Sequence, residues 1–455
     1  MLNLLREIRH GDGTRARSMR SAAFLVIGFG GQNVVRLGGN LILTRLLFPE
    51  AFGLMALVQI FLMGLQMFSD VGIQTSIVRD PRGEERAFRD AAWTLQIIRG
   101  LVLWIFSCIV AWPAAGIYGE PQLLQLIPAA GLTALITGFR PTKVALANRH
   151  LQIGAQVMSE LIGQVLGLVL TIALAYLWRD VWSLVAGGVL GAVLTVLLQR
   201  RLLPGENDRL AWDPETLWSI FHFGKFIFLS SIAGFIANQG ERAILGGYVT
   251  LEQLGIYSVG FLMANLPLRL VQAADTKIGL PVYRKFLDLS VPENKQKAFR
   301  VRRMVVSGGI AISSIMAFLS VPMINFLYDT RYAMSGPILL LVSVSMILRI
   351  AVSNYDGAYM AHGDSRSHFH LTWVIALVQT GLLLLGTSQF GILGATLAPG
   401  LTMILTYPMR VAILRRYHAW DPVVDITSAL AGLSVVALSI WLWRDAMGEL
   451  LDWVF

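Results

Sequence analysis

In the stretch "GFGGQNVVRLGGNLIL" (28–43), Gln32, Arg36 and Asn40 fall at i, i+4 and i+8 within an otherwise apolar run. On a helix they form one polar stripe. The pattern recurs in Gln59, Gln66 and Asp70, in Gln156, Glu160 and Gln164, and in Asn265, Arg269 and Gln272. Arg99, the adjacent Glu241 and Arg242, and Arg349 with Asp356 also stand in apolar runs, and Asp275 lies near the end of another. A charge at mid-bilayer costs from about 2.5 to over 10 kcal/mol, so such groups face a partner or a water-filled cavity. Arginine's planar fork suits phosphate, and several arginines around a wet cavity favour a polyanion such as a diphosphate. Arg36, Asn40, Arg99, Arg242, Arg269 and Arg349 are therefore candidate substrate-binding residues. Asp70, Glu160, Glu241, Asp275 and Asp356 are candidate carriers of a coupling ion, H+ or Na+. Structural pairing between helices fits many of the same residues, adjacent Glu241 and Arg242 above all. For Arg36, far from either helix end, the cavity fits better. Lys143, Lys225 and Asp70 lie nearer helix ends, where side chains snorkel to the headgroups.

The elements that position these residues follow from composition. Only 14% of the 455 residues are charged and 55% are hydrophobic, against roughly a quarter charged in soluble domains. The mean hydropathy is +0.62, and the apolar character runs along the whole chain, as in a polytopic membrane protein. A helix needs about 20 apolar residues to span the hydrocarbon core. Such runs occur at 21–45, 51–78, 91–113, 122–146, 153–178, 181–199, 217–247, 254–283, 304–328, 335–361, 368–389, 391–414 and 425–443, about thirteen transmembrane helices in an all-α fold. Arginine and lysine follow every even-numbered span through the twelfth, while "GIYGEP", "YVTLEQL" and "SQFG" on the other side carry none. That alternation puts the N-terminus in the cytoplasm. It also accounts for the net charge of +9 without nucleic acid as a partner. The end, "RDAMGELLDWVF", is too short and polar to span, and reads as an outer tail or an interfacial helix.

The polar stretch "RLLPGENDRLAWDPETLW" (201–218) divides the spans. The expected organisation is a basic arm (1–20), a six-helix lobe (21–202), a linker (203–216), a second six-helix lobe (217–418), and an additional helix and tail (419–455). "LTRLLFPEAFGLM" (43–55) aligns with "LGGYVTLEQLGIY" (245–257), Glu50 against Glu252 and Gly53 against Gly255. "DVGIQTSIVR" (70–79) aligns with "DTKIGLPVYR" (275–284), and Arg36 and Asn40 then match Asn238 and Arg242. Two lobes of the same orientation imply a parallel duplication, an arrangement of secondary transporters that places the substrate path between repeats. The glycine pairs 30–31 and 38–39 suit close helix packing.

Other chemistries lack their residues. Cys108 is the only cysteine, so no disulfide framework or cysteine metal site is available. His362, His368 and His370 with Asp364 match no established metal spacing. No Walker A loop, nucleophile motif or long outer loop with catalytic carboxylates is found, which argues against an ATPase and disfavours a polymerase or glycosyltransferase. No catalytic residue, metal or cofactor is expected.

"LGGNLILTRLLFPEAFGLMALVQIFLMGLQMFSDVGIQTSIV" (37–78) resembles the opening helices of the Wzx-type oligosaccharide flippases, in the multidrug/oligosaccharidyl-lipid/polysaccharide exporter superfamily. "FGKFIFLSSIAGFIANQGERAILGGYVTLEQLGIYSVGFLMANLP" (223–267) repeats the resemblance, which extends to about residue 418. It implies two lobes around a central cationic cavity. It also implies passage of undecaprenyl-diphosphate-linked oligosaccharide across the bacterial inner membrane, with membrane lipid, a polysaccharide polymerase and a chain-length regulator as partners. A peptidoglycan-precursor flippase or drug exporter of the same superfamily, a membrane polysaccharide polymerase or glycosyltransferase, and a structural scaffold are the alternatives. An exporter of organic cations would want a more acidic cavity.

Overall fold

The computed structural model describes residues 14–68, 72–150, 152–216, 218, 232, 234–236, 239–275 and 279–454. The described residues are helical with no strand. By backbone proximity the chain forms two compact units, 1–47 with 57–232, and 233–455 with 48–56. Eight described helices are long and apolar enough to cross a bilayer, or ten if two bent pairs each form one span. The predicted seventh span falls largely outside the described residues.

The first unit contains α1 (Thr14–Leu46), most of α2 (Pro49–Phe68), the short α3 (Ile73–Arg79), α4 (Arg86–Tyr118), α5 (Leu123–Gly138), α6 (Lys143–Arg149), α7 (Gly154–Trp178) and α8 (Trp182–Leu202). Small residues bring its helices together. Gly163 and Gly167 of α7 pack on Thr195 and Gly191 of α8, where a side chain would collide with the Thr195 hydroxyl and the Gly191 backbone. The glycine pairs of α1 split their roles. Gly31 and Gly39 pack on Leu161 and Leu168 of α7, whereas Gly30 and Gly38 have nothing within 4 Å. α5 and α6 meet at 61°, which leaves carbonyls at the end of α5 without helical partners. The Gln96 amide of α4 supplies donors, reaching Gly138 O at 3.0 Å and Arg140 O at 2.9 Å.

The predicted linker is strapped to this unit. Arg209 N donates to Asp90 Oδ1 (2.9 Å), Ala211 N to Thr94 Oγ1 (3.0 Å), and Thr142 N to Asp208 Oδ2 (2.9 Å). Lys143 does not snorkel as its position suggested. It is buried, and its Nζ donates to Asn207 Oδ1 at 3.1 Å. The linker's polar side chains outcompete headgroups for it.

The second unit contains α9 (Leu251–Ala264), α10 (Leu266–Ala274), α11 (Leu280–Lys285), α12 (Pro292–Phe318), α13 (Ser320–Leu327), α14 (Ser335–Ala351), α15 (Asp356–Ala361), α16 (Ser365–Arg416), α17 (Pro422–Leu442) and α18 (Arg444–Val454). Fourteen of the 17 residues of α14 are buried, as expected of a helix surrounded by others; α9, α12, α16 and α17 pack on it. α16 covers the predicted eleventh and twelfth spans and folds over at Gly391 (φ 52°, ψ −128°), the break expected between 389 and 391. Pro399 lacks the N–H that a straight helix needs. Beside it, Ser345 of α14 donates to Thr396 O, and Gly400 N donates back to Ser345 Oγ (3.1 Å). That hydroxyl fills the gap in the backbone ladder.

The C-terminal segment is helix α18, with Leu450 fully buried and Met447 on the Ala317–Leu340–Ile347–Val436 cluster. Just before it, the Trp443 indole donates to Phe318 O (3.0 Å). The glycines that the repeat aligns also meet in the structure. Residues 48–56 of α2 belong to this unit, and a side chain at Gly53 would meet Leu251 O while one at Gly255 would meet Pro49 O. The two aligned glycines thus allow α2 and α9 to cross backbone to backbone.

Candidate functional site

In the first unit the α1 stripe faces α7. Gln32 Nε2 donates to Glu160 Oε2 (3.3 Å), and Gln164 Nε2 donates to Gln32 O (3.0 Å). Glu160 also accepts from Gln156 (3.2 Å) and from the Arg140 guanidinium (2.6 Å). Arg140 had the signature of a loop charge; the bend after α5 instead turns it inward onto the carboxylate. One turn along α1, Arg36 Nη2 donates to Asn33 Oδ1 (2.8 Å), and Arg36 and Asn40 are both half-buried. Arg99 of α4 donates to Gln66 O of α2 (3.1 Å). Asp70 and Asn238 lie outside the described residues.

In the second unit Glu241, within helical residues 239–245, is buried and accepts from the Tyr257 hydroxyl of α9. Its neighbour Arg242 lies 4.5 Å over the Phe261 ring, a stacking that suits a guanidinium. The third charge is Arg349 of α14, whose field acts on Glu241. The expected Asn265–Arg269–Gln272 stripe is interrupted, because Asn265 sits at the 40° break between α9 and α10. Leu266 and Pro267 begin a new helix that carries Arg269. Arg349 and Asp356 do not share a helix either. α14 ends at Ala351, Asn354 is left-handed (φ 62°), and Asp356 opens α15. Asp356 accepts from Tyr359 and lies 3.6 Å from Arg410.

Among the described residues, the guanidinium groups of the half-buried Arg269 and Arg349 form no hydrogen bond to protein and no ion pair within 4.0 Å. Their fork-shaped donor sets are available to an oxyanion.

The most extensive polar network went unnoticed in the sequence. Arg302 of α12 is buried, donates to Asp425 Oδ1 of α17 (2.6 Å) and to Ala351 O (2.8 Å), and stacks 3.7 Å from the Tyr355 ring centre. Tyr355 and Tyr407 donate to the same carboxylate at 2.9 and 2.7 Å. Arg410 reaches Val352 O (3.1 Å), and Arg303 pairs with Asp421 (3.1 Å). Two arginines thus cap the last carbonyls of α14. "RVRRM" (300–304) looks like ordinary loop charge; the signal in the sequence is Asp421 and Asp425, one helical turn apart.

Comparison with known proteins places the chain. Residues 42–348 match the family described as Polysaccharide biosynthesis protein. The chain belongs to this family. It is 20% identical over 349 residues to the teichuronic acid biosynthesis protein TuaB of Bacillus subtilis, covering 70% of this chain and 68% of that one. It is 22% identical over 351 residues to the succinoglycan biosynthesis transport protein ExoT of Rhizobium meliloti, covering 76% and 69%. The fold of this polysaccharide biosynthesis protein is that of the lipid II flippase MurJ in an inward closed conformation (TM-score 0.69, 13% identity, 95% and 97% covered). It is shared with an inward-facing multidrug resistance MATE family transporter of the MOP superfamily (TM-score 0.64, 16% identity, 87% and 99% covered). The chain is therefore a multi-pass membrane protein with the two-lobed transporter fold of that superfamily.

Proposed function

We propose that this chain flips undecaprenyl-diphosphate-linked oligosaccharide from the cytoplasmic to the periplasmic leaflet of a bacterial inner membrane, with its N-terminus in the cytoplasm. The observation that carries the reading is Arg269 and Arg349, half-buried guanidiniums that no carboxylate contacts among the described residues. A resting ion pair would have to break before a diphosphate could bind, whereas a guanidinium kept without one binds at once. Arg36 donates to Asn33, Arg99 donates to the Gln66 carbonyl, and Arg242 stacks on Phe261. A peptidoglycan precursor has the same diphosphate, so the family favours the polysaccharide repeat unit while the site alone is neutral between them.

Residues 21–202 and 217–418 act as the two moving lobes, and access alternates as the cargo binds one state better than the other. An ion gradient, through Asp70, Glu160, Glu241, Asp275 or Asp356, resets the cycle. Polymerase and chain-length regulator act downstream on the delivered unit.

Deletion followed by extraction of lipid-linked sugars tests this. A complete repeat unit accumulating on the cytoplasmic leaflet is expected. A defect confined to polymer chain length would point to polymerisation instead. In cells that depend on the protein, Arg269→Ala with Arg349→Ala is expected to cut export at least tenfold at normal protein level, the loss of about 1.4 kcal/mol of binding. Full export by that variant would remove the diphosphate assignment.

A further inference from the structure

Gly279, Val282, Tyr283, Ala298, Val301, Arg302, Val305 and Asn354 enclose a cavity in the second unit, with about 10 Å³ open to the centre of a water-sized particle. That is room for one water. Three buried polar atoms on lining residues have no hydrogen-bond partner among the described residues: Arg302 Nη1, Tyr283 Oη and Asn354 Oδ1. Their residues are 2%, 3% and 7% exposed. A fourth such atom, Asp275 Oδ1, lies beside the lining residue Gly279, 2.1 Å from where a methyl there would stand. Burying these groups unsatisfied costs about 1–3 kcal/mol each. They also match in kind. Arg302 and Tyr283 offer hydrogens, while Asn354 and Asp275 offer lone pairs.

We infer that this cavity is a one-water site, and that the water joins Asp275 to Arg302 and makes Asp275 the proton-accepting group of the second unit. Two donors and two acceptors complement the two lone pairs and two hydrogens of a water molecule. A bare metal cation would need oxygen lone pairs on every side, and the Arg302 N–H repels it. A proton reaching the water passes on as the water hands one of its own hydrogens to Asp275 Oδ1. The water is regenerated and the carboxylate becomes neutral.

The surrounding charges leave room for that proton. Arg302, Arg303 and Arg410 stand with Asp275, Asp356, Asp421 and Asp425, one negative charge in excess among the described residues. Tyr355, Tyr359 and Tyr407 occupy the other acceptors of Asp425 and Asp356, and His368 lies 3.3 Å beyond Tyr359. The water connects the end of α10, the short α11 and the body of α12 with the break after α14. Neutralising Asp275 therefore changes the link between elements that a rocking lobe has to move. That use in transport rests on the flippase reading; the site itself does not.

Two measurements on the purified full-length protein test the site. A structure that shows ordered water, with thallium(I) added as a stand-in for sodium or potassium, should have one water within hydrogen-bonding reach of Arg302 Nη1, Tyr283 Oη, Asn354 Oδ1 and Asp275 Oδ1. An empty cavity, or thallium in it, overturns the proposal. Protons taken up between about pH 8 and about pH 5 should number one fewer per chain in Asp275→Asn than in the wild type. Equal counts overturn the role of Asp275. If that variant does not fold, Tyr283→Phe keeps the net charge and removes one donor to the water, so the uptake should move by about half a pH unit or more. No movement overturns it. Neither readout uses a lipid-linked sugar, so failure of the flippase reading leaves both tests standing.

Discussion

Arg302 and Asp425 have side chains only 1% and 3% exposed, which makes their pair the most deeply buried ion bridge among the described residues. Taking both charges out of water is expensive, and the return comes from geometry. The carboxylate also accepts from two tyrosines, and the guanidinium also holds the Ala351 carbonyl. Removing one partner leaves the other charged and buried, at about 3–5 kcal/mol. Arg302→Met should therefore lower the unfolding free energy of the detergent-solubilised protein by that amount. Adding Asp425→Asn should recover part of the loss, because the amide still accepts from Tyr355 and Tyr407 without a charge. A double mutant no better than the single one would show that the pair is not coupled. This bridge was illegible in the sequence, since its partners are 123 residues apart and nothing local marks Arg302 as different from Arg300 or Arg303. Gln32, Gln156, Glu160 and Gln164 were legible because helical spacing exposes a polar stripe in an apolar background. What spacing cannot supply is the partner, and Arg140, at the end of an apolar run, has the pattern of a loop charge.

At the scale of elements, apolar run length located the helices well but not their interruptions. The bends after Gly138, at Asn265 and after Ala351 fall inside runs that look continuous. The side chains that satisfy the freed carbonyls, Gln96, Arg302 and Arg410, come from other helices. The fold at Gly391 was legible from "SQFG". Its backbone (φ 52°, ψ −128°) is one that only glycine adopts without strain, so Gly391→Ala should cost about 1–3 kcal/mol. Gly381, inside α16 with nothing within 4 Å, is the control; alanine there should be neutral or stabilising by up to about 1 kcal/mol. Comparable melting losses for both would refute the distinction. The start of α16 carries a pH signature. Ser367, and after it Tyr417, hydrogen-bond to Asp364 and hold its carboxyl down at about 2, below the usual carboxylate range. A lowered carboxyl gives its stability in full above its unfolded value of about 4 and loses it as pH falls through about 2. Asp364→Ala should therefore cost about 1 kcal/mol of cap stability, unchanged between about pH 5 and pH 8. A loss that varied across that range would mean that another group titrates there.

For the molecule as a whole, α2 carries a constraint. It is one helix from Pro49 to Phe68, yet its first residues, to Ala56, belong to the second compact unit and the remainder to the first. If transport alternates by rocking of two lobes, a single straight helix cannot stay fixed to both. Either α2 bends near Ala56, or the crossing at Gly53 and Gly255 opens in each cycle. The helix beyond Ala56 runs unbroken to Phe68 with no proline to hinge it, so the crossing is the part expected to open. Phe52 and Tyr332 flank it, with ring centres 6.1 Å apart, and their touching side chains mark the two positions at which to place cysteines. In a chain carrying Phe52→Cys and Tyr332→Cys, with Cys108 replaced by serine, oxidation should stop polysaccharide export and a reductant should restore it. Each single cysteine should export normally under both conditions. Export that continues through the fully formed disulfide would mean that this crossing stays closed throughout the cycle, and that α2 itself bends.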